Sequence, residues 1–302
     1  MKKRLISSCF IVFFTLAFVL LKQVHCLFFD AFALIISYFS LREIIKAQGE
    51  KKLEKRTQGA LYTVPALQFL IYHFSKTFVW AITLHLLLAV ILLVYLLTAD
   101  MSMYAKDRKF GTTEQNAAVL NANLFDRTKR GMMIFAYPLL PLSFLFALNH
   151  LPYEVGYMGI ILTIVIAMFT DTGAYLIGCA FGKRKLIPEV SPKKTIEGCI
   201  GGFVGGMLAV VACYFVFKYS GWFDVINTIS TGVAICGFIL LGLIGSYVNQ
   251  LGDLIASAYK RKVGIKDYSN IFPGHGGFMD RVDGQMFVAI IVYIMMVLLF
   301  VV

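Results

Sequence analysis

The sequence has few charged residues: Asp, Glu, Lys and Arg together make up 15% of its 302 residues. Soluble globular domains contain about 25% charged residues, whereas hydrophobic residues here reach 59%. A chain of this composition is not expected to fold as a soluble protein. The sequence also contains no internal repeat, no low-complexity tract and no segment with the composition of a soluble domain. We therefore predict an all-α, polytopic integral membrane protein that forms one membrane-embedded unit.

The six cysteines lie mostly inside apolar runs. None of them has the C-x-x-C spacing of a zinc site, and their positions suggest no disulfide framework. Buried free thiols are the expected outcome. The six residues are Cys9, Cys26, Cys179, Cys199, Cys213 and Cys236.

Nine apolar runs are candidates for membrane-crossing helices, because about 18 to 20 apolar residues span the hydrocarbon core. The last run contains no charge over 19 residues. The first run follows a basic start and resembles a signal peptide, but it is long and no A-x-A-like cleavage site follows it, so we expect a retained helix. The nine runs lie near residues 5–21, 26–45, 59–75, 77–98, 132–150, 155–181, 196–218, 230–255 and 284–302.

The basic residues orient this arrangement. With nine crossings, 25 of the 28 Lys and Arg fall on one face, and only Lys22, Lys76 and Lys218 fall on the other. Basic loops stay in the cytosol during insertion, so this face is predicted to be cytosolic, in a bacterial inner membrane. Topogenesis and attraction to anionic lipids are a sufficient explanation for the basic loops at 42–58 and 99–131, which show no motif.

The loop at 171–198 is more specific. Asp171 lies inside the sixth run, where an ionisable group is costly and is a candidate for function, although a structural pairing with a basic residue would also explain it. Lys193 and Lys194 precede the seventh run. Two ammonium groups beside a helix N-terminus favour phosphate binding, although a lysine pair at this place is also a common topology anchor. The glycines that follow at steps of four are assigned to close helix packing.

Polar residues recur every three or four positions along the eighth run, so they form one stripe about 21 Å long. A stripe of this kind on a membrane helix must face a cavity or polar partners rather than lipid. The residues of the stripe are Ser246, Asn249, Gln250, Asp253, Ser257 and Lys260.

The stretch FPGHGGFMDRVDG precedes the last run. Its glycines permit backbone conformations in which N–H groups converge on an anion, and Asp280 and Asp283 share one helix face. Together with Asp253 they supply three carboxylates, a donor set that suits a magnesium ion whose open positions are filled by phosphates. A cytosolic salt-bridge cluster is the alternative explanation.

Three blocks of residues resemble the signature of the phosphatidate cytidylyltransferase (CDP-diglyceride synthase) family. Tyr259 is one departure, because the signature usually has an aliphatic residue or Phe there. The detailed match covers about 165–284. The blocks are Asp171-x-Gly173-Ala174-Tyr175 through Ser191-Pro192-Lys193-Lys194-Thr195-x-Glu197-Gly198; Gln250-Leu251-Gly252-Asp253; and Ser257-x-x-Lys260-Arg261, Lys266-Asp267 and Pro273-x-His275-Gly276-Gly277-x-x-Asp280-Arg281-x-Asp283.

The resemblance implies transfer of a cytidylyl group from CTP to phosphatidate with a divalent metal, for which we expect Mg²⁺. No nucleophilic Ser or Cys constellation appears in the sequence, so we expect direct attack of the lipid phosphate on the α-phosphorus. It implies Asp253 and Asp280 as metal ligands, and Asp253, Asp280, Asp283 and Lys260 as catalytic residues. The implied substrate-binding residues are Asp171, Lys193, Lys194, Arg261, Lys266, Asp267, His275, Gly276, Gly277 and Arg281. Residues 1–131 are then an N-terminal scaffold and 132–302 the catalytic region. The expected partners are CTP, phosphatidate and membrane lipids, with no nucleic acid. A second metal or monovalent cation, and a homodimer, stay open.

Two other classes of protein are weighed against this one. A transporter would also place carboxylates in the membrane, but it would show charge pairs at mid-membrane and paired broken helices. A noncatalytic lipid-binding scaffold would need the basic loops but not three clustered aspartates. A CTP-dependent enzyme acting on another lipid alcohol or phosphate is the nearer alternative.

Overall fold

The computed structural model describes residues 2–49, 53–75, 78–109 and 125–301, and most of these are helical. The helices are α1 (Lys2–Leu21), α2 (Cys26–Ala47), α3 (Lys55–Phe74), α4 (Phe78–Lys109), α5 (Asp126–Ile134), α6 (Leu140–Asn149), α7 (Tyr153–Phe181), α8 (Ile196–Tyr219), α9 (Thr231–Lys262), α10 (Met279–Val282) and α11 (Gln285–Phe300). A π-helical turn, Phe135–Leu139, joins α5 to α6, and a 3₁₀ turn, Asp224–Asn227, follows α8. The predicted all-α fold is confirmed.

Five of the described helical segments are long and apolar enough to cross a membrane, and the chain is an integral membrane protein. They are Trp80–Ser102, Thr128–Asn149, Tyr153–Phe181, Ile196–Tyr219 and Thr231–Lys262, and two shorter apolar helices are Cys9–Leu21 and Gln285–Phe300. The predicted runs at 26–45 and 59–75 are also helical, as α2 and α3. The count of nine crossings stays a prediction.

The predicted run at 132–150 is broken rather than continuous. Pro138 lies in the π-helical turn between α5 and α6, and the backbone of Tyr137 leaves the helical region (φ −148°, ψ 107°). Proline lacks an N–H group and its ring collides with the preceding turn, so it kinks or breaks a helix. Hydropathy alone does not show this break.

Glycines bring α7 and α8 into backbone contact, as the steps of four predict. A methyl group added at Gly198 would lie 2.8 Å from the carbonyl oxygen of Ala174, and one at Gly202 would lie 3.0 Å from that of Thr170. At Gly206 an added methyl group would collide with the hydroxyl of Ser246 on α9. These three glycines therefore serve close packing of α8 against α7 and α9.

The polar stripe of α9 faces these neighbours rather than lipid at its buried positions. The hydroxyl of Thr170 donates to that of Ser246 (2.9 Å), and the side-chain amide of Gln250 donates to the carbonyl of Cys199 (3.2 Å). Both hydrogen bonds connect α9 to the helix pair α7–α8. The stripe thereby fixes the rotation of α9 and directs Asp253 towards the site described below.

A short antiparallel hairpin lies between α7 and α8. Its strands are β1 (Lys185–Ile187) and β2 (Ser191–Thr195). Thr195 ends the hairpin and caps α8, because its hydroxyl accepts a hydrogen bond from the N–H of Gly198 (3.1 Å). The cap fixes where the strand stops, and so it fixes the position of the lysine pair just before it.

Candidate active site

Three aspartates meet where α9, α10 and α11 come together. Asp253 lies on α9, Asp280 on α10 and Asp283 in the one-residue step between α10 and Gly284. A methyl group added at Gly252 would lie 2.7 Å from the carbonyl oxygen of Asp283. This close approach of α9 to the start of α11 brings Asp253 and Asp283 into one cavity.

Asp280 is held by the loop that precedes it. Its Oδ2 atom accepts hydrogen bonds from the N–H groups of Tyr268 (2.8 Å) and Gly277 (3.0 Å), and its Oδ1 atom accepts from Lys260 Nζ (2.7 Å). Gly276 has φ +79°, and a methyl group there would lie 2.6 Å from Asp280 Oδ2. Only glycine therefore fits at this position. In the structure the N–H of Gly277 donates to a carboxylate of the protein itself, Asp280, and contact of this loop with a substrate phosphate stays a prediction.

Asp283 shares Lys260 with Asp280. Its Oδ2 atom lies 3.8 Å from Lys260 Nζ, and its Oδ1 atom accepts from the N–H of Gly284 (3.0 Å). Burial, and to a smaller extent the neighbouring Asp253 carboxylate, raises the pKa of Asp283 well above its usual range. A positive ion beside these carboxylates would relieve the repulsion that favours the protonated form.

Lys194 reaches the site from the hairpin. Its Nζ atom lies 3.2 Å from Asp253 Oδ2, so the β2 strand and α9 are joined by an ion pair. On the facing helix, Asp171 Oδ1 accepts a hydrogen bond from the side-chain amide of Asn249 (2.9 Å). Asp171 lines the central cavity. The sequence left open a structural pairing of Asp171 with a basic residue, but the group that donates to it here is the amide of Asn249.

Glu43 on α2 supports the glycine loop, although no motif in the sequence singles it out. Only 3% of Glu43 is exposed. Its carboxylate accepts from the hydroxyl of Ser269 (2.5 Å) and from the N–H groups of Phe278 (3.0 Å) and Met279 (2.8 Å). In the sequence it resembles one of the charges of a cytosolic loop, because nothing local indicates that the backbone 235 residues later donates to it.

Three cavities adjoin at these side chains. The central cavity has a volume of about 270 Å³ and is polar, and a second, of about 370 Å³, lies towards the hairpin. The two share Asp171, Lys194 and Asp253. A third, apolar cavity of about 370 Å³ shares Arg281 and Gln285 with the central one. The central cavity is lined by Asp171, Lys194, Asn249, Asp253, Ser257, Lys260, Asp267, Asp280, Arg281 and Asp283, among others.

The other predicted site residues lie around these cavities. Lys193 lines the cavity beside the hairpin. Arg261 Nε donates to the carbonyl of Val190 (3.4 Å), which connects the end of α9 to the hairpin turn. Lys266 is exposed, and the N–H of His275 donates to the carbonyl of Phe272 (2.9 Å) within the glycine loop. The roles predicted for these residues stay predictions.

The donors of the central cavity fit a hard divalent cation. Its acidic side chains offer only carboxylate oxygens, which is the donor set that Mg²⁺ prefers. Asp253 carries one ion pair, with Lys194, and Asp283 lies at the longer distance from Lys260, so both retain oxygens that can bind metal. By this fit, Asp253, Asp280 and Asp283 could hold the ion. Phosphate oxygens and water would complete its coordination.

The fold and the site together define a polytopic membrane protein whose carboxylates and lysines meet where its helices end. The chain belongs to the Cytidylyltransferase family, whose model matches residues 2–299. The family resemblance found in the sequence is thereby confirmed.

Proteins similar to the chain include bacterial phosphatidate cytidylyltransferases. The one from Staphylococcus aureus (strain COL) is 38% identical over 183 residues, which are 59% of this chain and 64% of that protein. The one from Haemophilus influenzae is 41% identical over 135 residues, 45% of this chain and 44% of that protein. The one from Staphylococcus saprophyticus is 30% identical over 212 residues, 68% of this chain and 76% of that protein. The match thus spans less than two thirds of the first two relatives.

Proposed function

We propose that the protein is a phosphatidate cytidylyltransferase of phospholipid biosynthesis, which converts CTP and phosphatidate into CDP-diacylglycerol and pyrophosphate. One observation carries the proposal: the polar cavity of carboxylates and lysines opens on one side towards the hairpin and on the other towards an apolar cavity. A water-soluble polyanion and a lipid phosphate need such an arrangement, because their reacting groups must meet while their other ends stay in different surroundings.

The apolar cavity suits the acyl chains of phosphatidate. Its walls come from α1, α2, α6, α7, the glycine loop, α10 and α11, and include Phe14, Phe32, Phe39, Leu142 and Met286. Arg281 and Gln285 lie where this cavity meets the central one. A guanidinium group binds phosphate with two parallel hydrogen bonds. Arg281 is therefore the residue that we assign to the lipid phosphate.

The cavity beside the hairpin suits the nucleotide. Lys193 and Lys194 line it together with the first turn of α8, and Tyr175 provides an aromatic ring that is 70% exposed. Lysines and a helix N-terminus favour a triphosphate, and an aromatic ring offers a surface on which a base can stack. We assign the CTP phosphates to the side of this cavity that is shared with Asp253.

The chemistry requires positioning and charge neutralisation more than acid–base catalysis. The phosphate of phosphatidate is already ionised, so its oxygen attacks the α-phosphorus of CTP directly while the bond to the bridging oxygen of the β-phosphate breaks. Bound Mg²⁺ would neutralise charge on the departing pyrophosphate. Lys194 and Lys260, which hold Asp253 and Asp280 here, would also contact the phosphates and reduce the repulsion between two polyanions.

We place the site at the cytosolic face of a bacterial inner membrane, because the basic residues near the site follow the positive-inside rule. CTP is a cytosolic metabolite, which suits this orientation. The charged cavity near the ends of α9 and α11 would then open to the cytosol, while the apolar cavity adjoins the bilayer. A homodimer, and a second metal or monovalent cation, remain compatible with this proposal.

The reaction is tested with purified protein in detergent, given Mg²⁺, phosphatidate and CTP labelled in the α-phosphate. The label should enter an organic-extractable lipid, and EDTA should stop the transfer. CTP labelled in the γ-phosphate should yield labelled pyrophosphate and unlabelled lipid. Entry of the γ-label into lipid would identify a kinase instead.

The choice of lipid separates the proposal from its nearest alternative. Diacylglycerol should not replace phosphatidate, because its hydroxyl is neither charged for Arg281 nor ionised for attack. Equal turnover of the two lipids would overturn the substrate assignment while leaving the family unaffected. A transporter or a lipid-binding scaffold would give no labelled lipid with either substrate.

A further inference from the structure

A second group of potential metal ligands lies far from the aspartates. Asp30 belongs to α2, His73 to α3, and His150 follows the last residue of α6. Along α2, Asp30 is 13 residues from Glu43, which contacts the glycine loop. At 1.5 Å per residue this places Asp30 about 20 Å from that loop. The group is therefore separate from the aspartate site.

The three side chains already have most of the geometry of a metal site. One ligand atom from each residue can be chosen so that all three lie within 4.8 Å of one another. Asp30 Oδ2 lies 3.1 Å from His150 Nε2, and the rings of His73 and His150 are 5.6 Å apart at 85°. Ligands of a tetrahedral zinc ion are about 3.4 Å apart, as follows from bonds of about 2.0–2.1 Å. Small side-chain rotations would close the difference.

His73 supplies an independent indication. Its Nδ1 atom is buried, and none of the described residues forms a hydrogen bond with it. A buried polar atom without a partner is costly, and each such atom in a folded protein requires an explanation. A purely structural pair, Asp30 with His150, would leave this nitrogen unexplained. A metal ion bound by Asp30, by His150 and through this nitrogen of His73 would explain it.

The carboxylate of Asp30 is oriented by residues outside the group. Its Oδ1 atom accepts from Asn149 Nδ2 (2.8 Å), and Asn149 Oδ1 in turn accepts from Lys22 Nζ (2.6 Å). Asp30 is 1% exposed. Outer hydrogen bonds of this kind fix the orientation of a metal-binding carboxylate in known sites. They leave Oδ2 directed towards the histidines.

We propose that Asp30, His73 and His150 bind a transition-metal ion of the Zn²⁺ type at the end of the molecule opposite the aspartate site. Two imidazole nitrogens and one carboxylate oxygen are typical zinc ligands, whereas Mg²⁺ prefers oxygen donors alone. The ion would connect α2, α3 and the end of α6 at one point. Because α2 also carries Glu43, the site would fix the helix that supports the glycine loop. This proposal does not depend on the reaction assigned above.

The test uses the full chain in detergent, without a polyhistidine tag and freed of metal with EDTA. Titration calorimetry with ZnCl₂ should reveal a tight site of one Zn²⁺ per chain, and Co²⁺ should give the visible absorption of a tetrahedral complex. Loss of an outer-shell partner weakens metal binding by about 10- to 100-fold. His73→Ala and His150→Ala each remove a ligand, so each should weaken Zn²⁺ binding by more than that. Asn149→Leu should weaken it within that range.

Two controls make the result specific. His85→Ala removes a buried histidine outside the group and should leave Zn²⁺ binding unchanged. The double variant Asp253→Asn/Asp280→Asn should also retain it. Asp30→Asn preserves the size of the side chain, so it keeps the test valid if a histidine variant fails to fold. The proposal is wrong if the wild-type protein takes up no Zn²⁺, or if uptake is lost in the Asp253/Asp280 double variant and retained in Asp30→Asn.

Discussion

At the scale of single residues, the aspartates differ in what holds them, and this difference makes their roles separable. Asp253 forms one ion pair with Lys194, whereas Asp280 accepts two backbone N–H groups and the Lys260 ammonium. Asparagine preserves the size of aspartate but lacks the negative charge that a magnesium ion needs.

Asp253→Asn is therefore expected to lose nearly all cytidylyltransfer while its thermal unfolding stays close to that of the wild type. Asp280→Asn should lose activity and also unfold earlier, because its amide group faces N–H donors. Activity is measured by transfer of the α-label, and unfolding by a thermal melt in detergent. Asp224→Asn, at an exposed acid beyond the far end of α8, is the control. Near-normal turnover of Asp253→Asn at limiting Mg²⁺ would exclude Asp253 as a metal ligand.

Glu43 contacts the glycine loop and does not line the central cavity. Glu43→Gln replaces one acceptor oxygen by a donor that opposes a backbone N–H, and an unsatisfied buried group of this kind costs about 1–3 kcal/mol. We expect a lower free energy of unfolding and a lower kcat, because Asp280 follows the loop. Glu189→Gln, an exposed glutamate in the hairpin turn, should change neither. If the stability of Glu43→Gln were unchanged, Glu43 would not stabilise the glycine loop.

Lys22 should make the free energy of unfolding depend on pH, and the sign of this dependence follows from the burial of its side chain. Burial lowers the pKa of Lys22 from 10.5 to about 8, so the unfolded chain binds more protons between these values. The free energy of unfolding of the wild type should therefore rise with pH across that window, by at most about 1.4 kcal/mol per pH unit. Below about pH 8 both states are protonated and the contribution is constant.

The comparison is with Lys22→Met, measured by thermal unfolding in detergent with EDTA. This variant lacks the titrating group, so the stability of the wild type relative to Lys22→Met should increase from about pH 8 to pH 10. A difference that stays constant over this window would show that the lysine is not desolvated in the folded protein.

At the scale of elements, the glycine contacts between α7 and α8 decide where Asp171 and the hairpin lie. A methyl group at Gly201 would collide with Ile177 and lie 2.8 Å from the carbonyl oxygen of Gly173. Gly201→Val should therefore separate the helices, lower stability by about 1–3 kcal/mol and reduce turnover.

Gly232→Val is the matched control, because a methyl group at Gly232 meets nothing within 4 Å. It should leave both stability and turnover close to those of the wild type. If Gly201→Val were fully active, the glycine steps would not be needed for the position of the site.

Periodicity predicted these elements well, because membrane helices obey strong local rules. The glycine steps, the stripe on α9 and the family blocks are all repeats or fixed spacings, and the structure bears out the glycine packing and the inward direction of the stripe's buried residues. The sequence could not predict the pairs that join distant segments. It did not predict that the N–H of Gly277 would donate to Asp280, and no spacing in it joins Glu43 to Met279. Such contacts depend on packing angles between helices, which spacing within one run does not determine.

At the scale of the whole molecule, the predicted orientation rests on the distribution of lysine and arginine, and labelling tests it. In a cysteine-free background, a cysteine at Ser220, which is exposed after α8, should react with an impermeant maleimide added to intact cells. A cysteine at Lys185, which is exposed in the hairpin, should react only after the cells are opened. Lys22 is unsuitable as a labelling position because it is only 4% exposed. Reaction at Lys185 from outside would reverse the orientation and exclude a cytosolic site.

The position of Lys260 has a consequence for the order in which ligands arrive. With its ammonium 2.7 Å from Asp280 and 3.8 Å from Asp283, the protein supplies its own counter-ion to two of the carboxylates that a metal would use. A free magnesium ion must compete with that ammonium, whereas the triphosphate of CTP offers Lys260 another anion. If Mg²⁺ and CTP bind here as proposed, nucleotide and metal are thermodynamically linked, and each would raise the affinity for the other by the same factor. The magnesium concentration in the cell would thus set how well the enzyme holds CTP, and free nucleotide without metal would be a poor ligand.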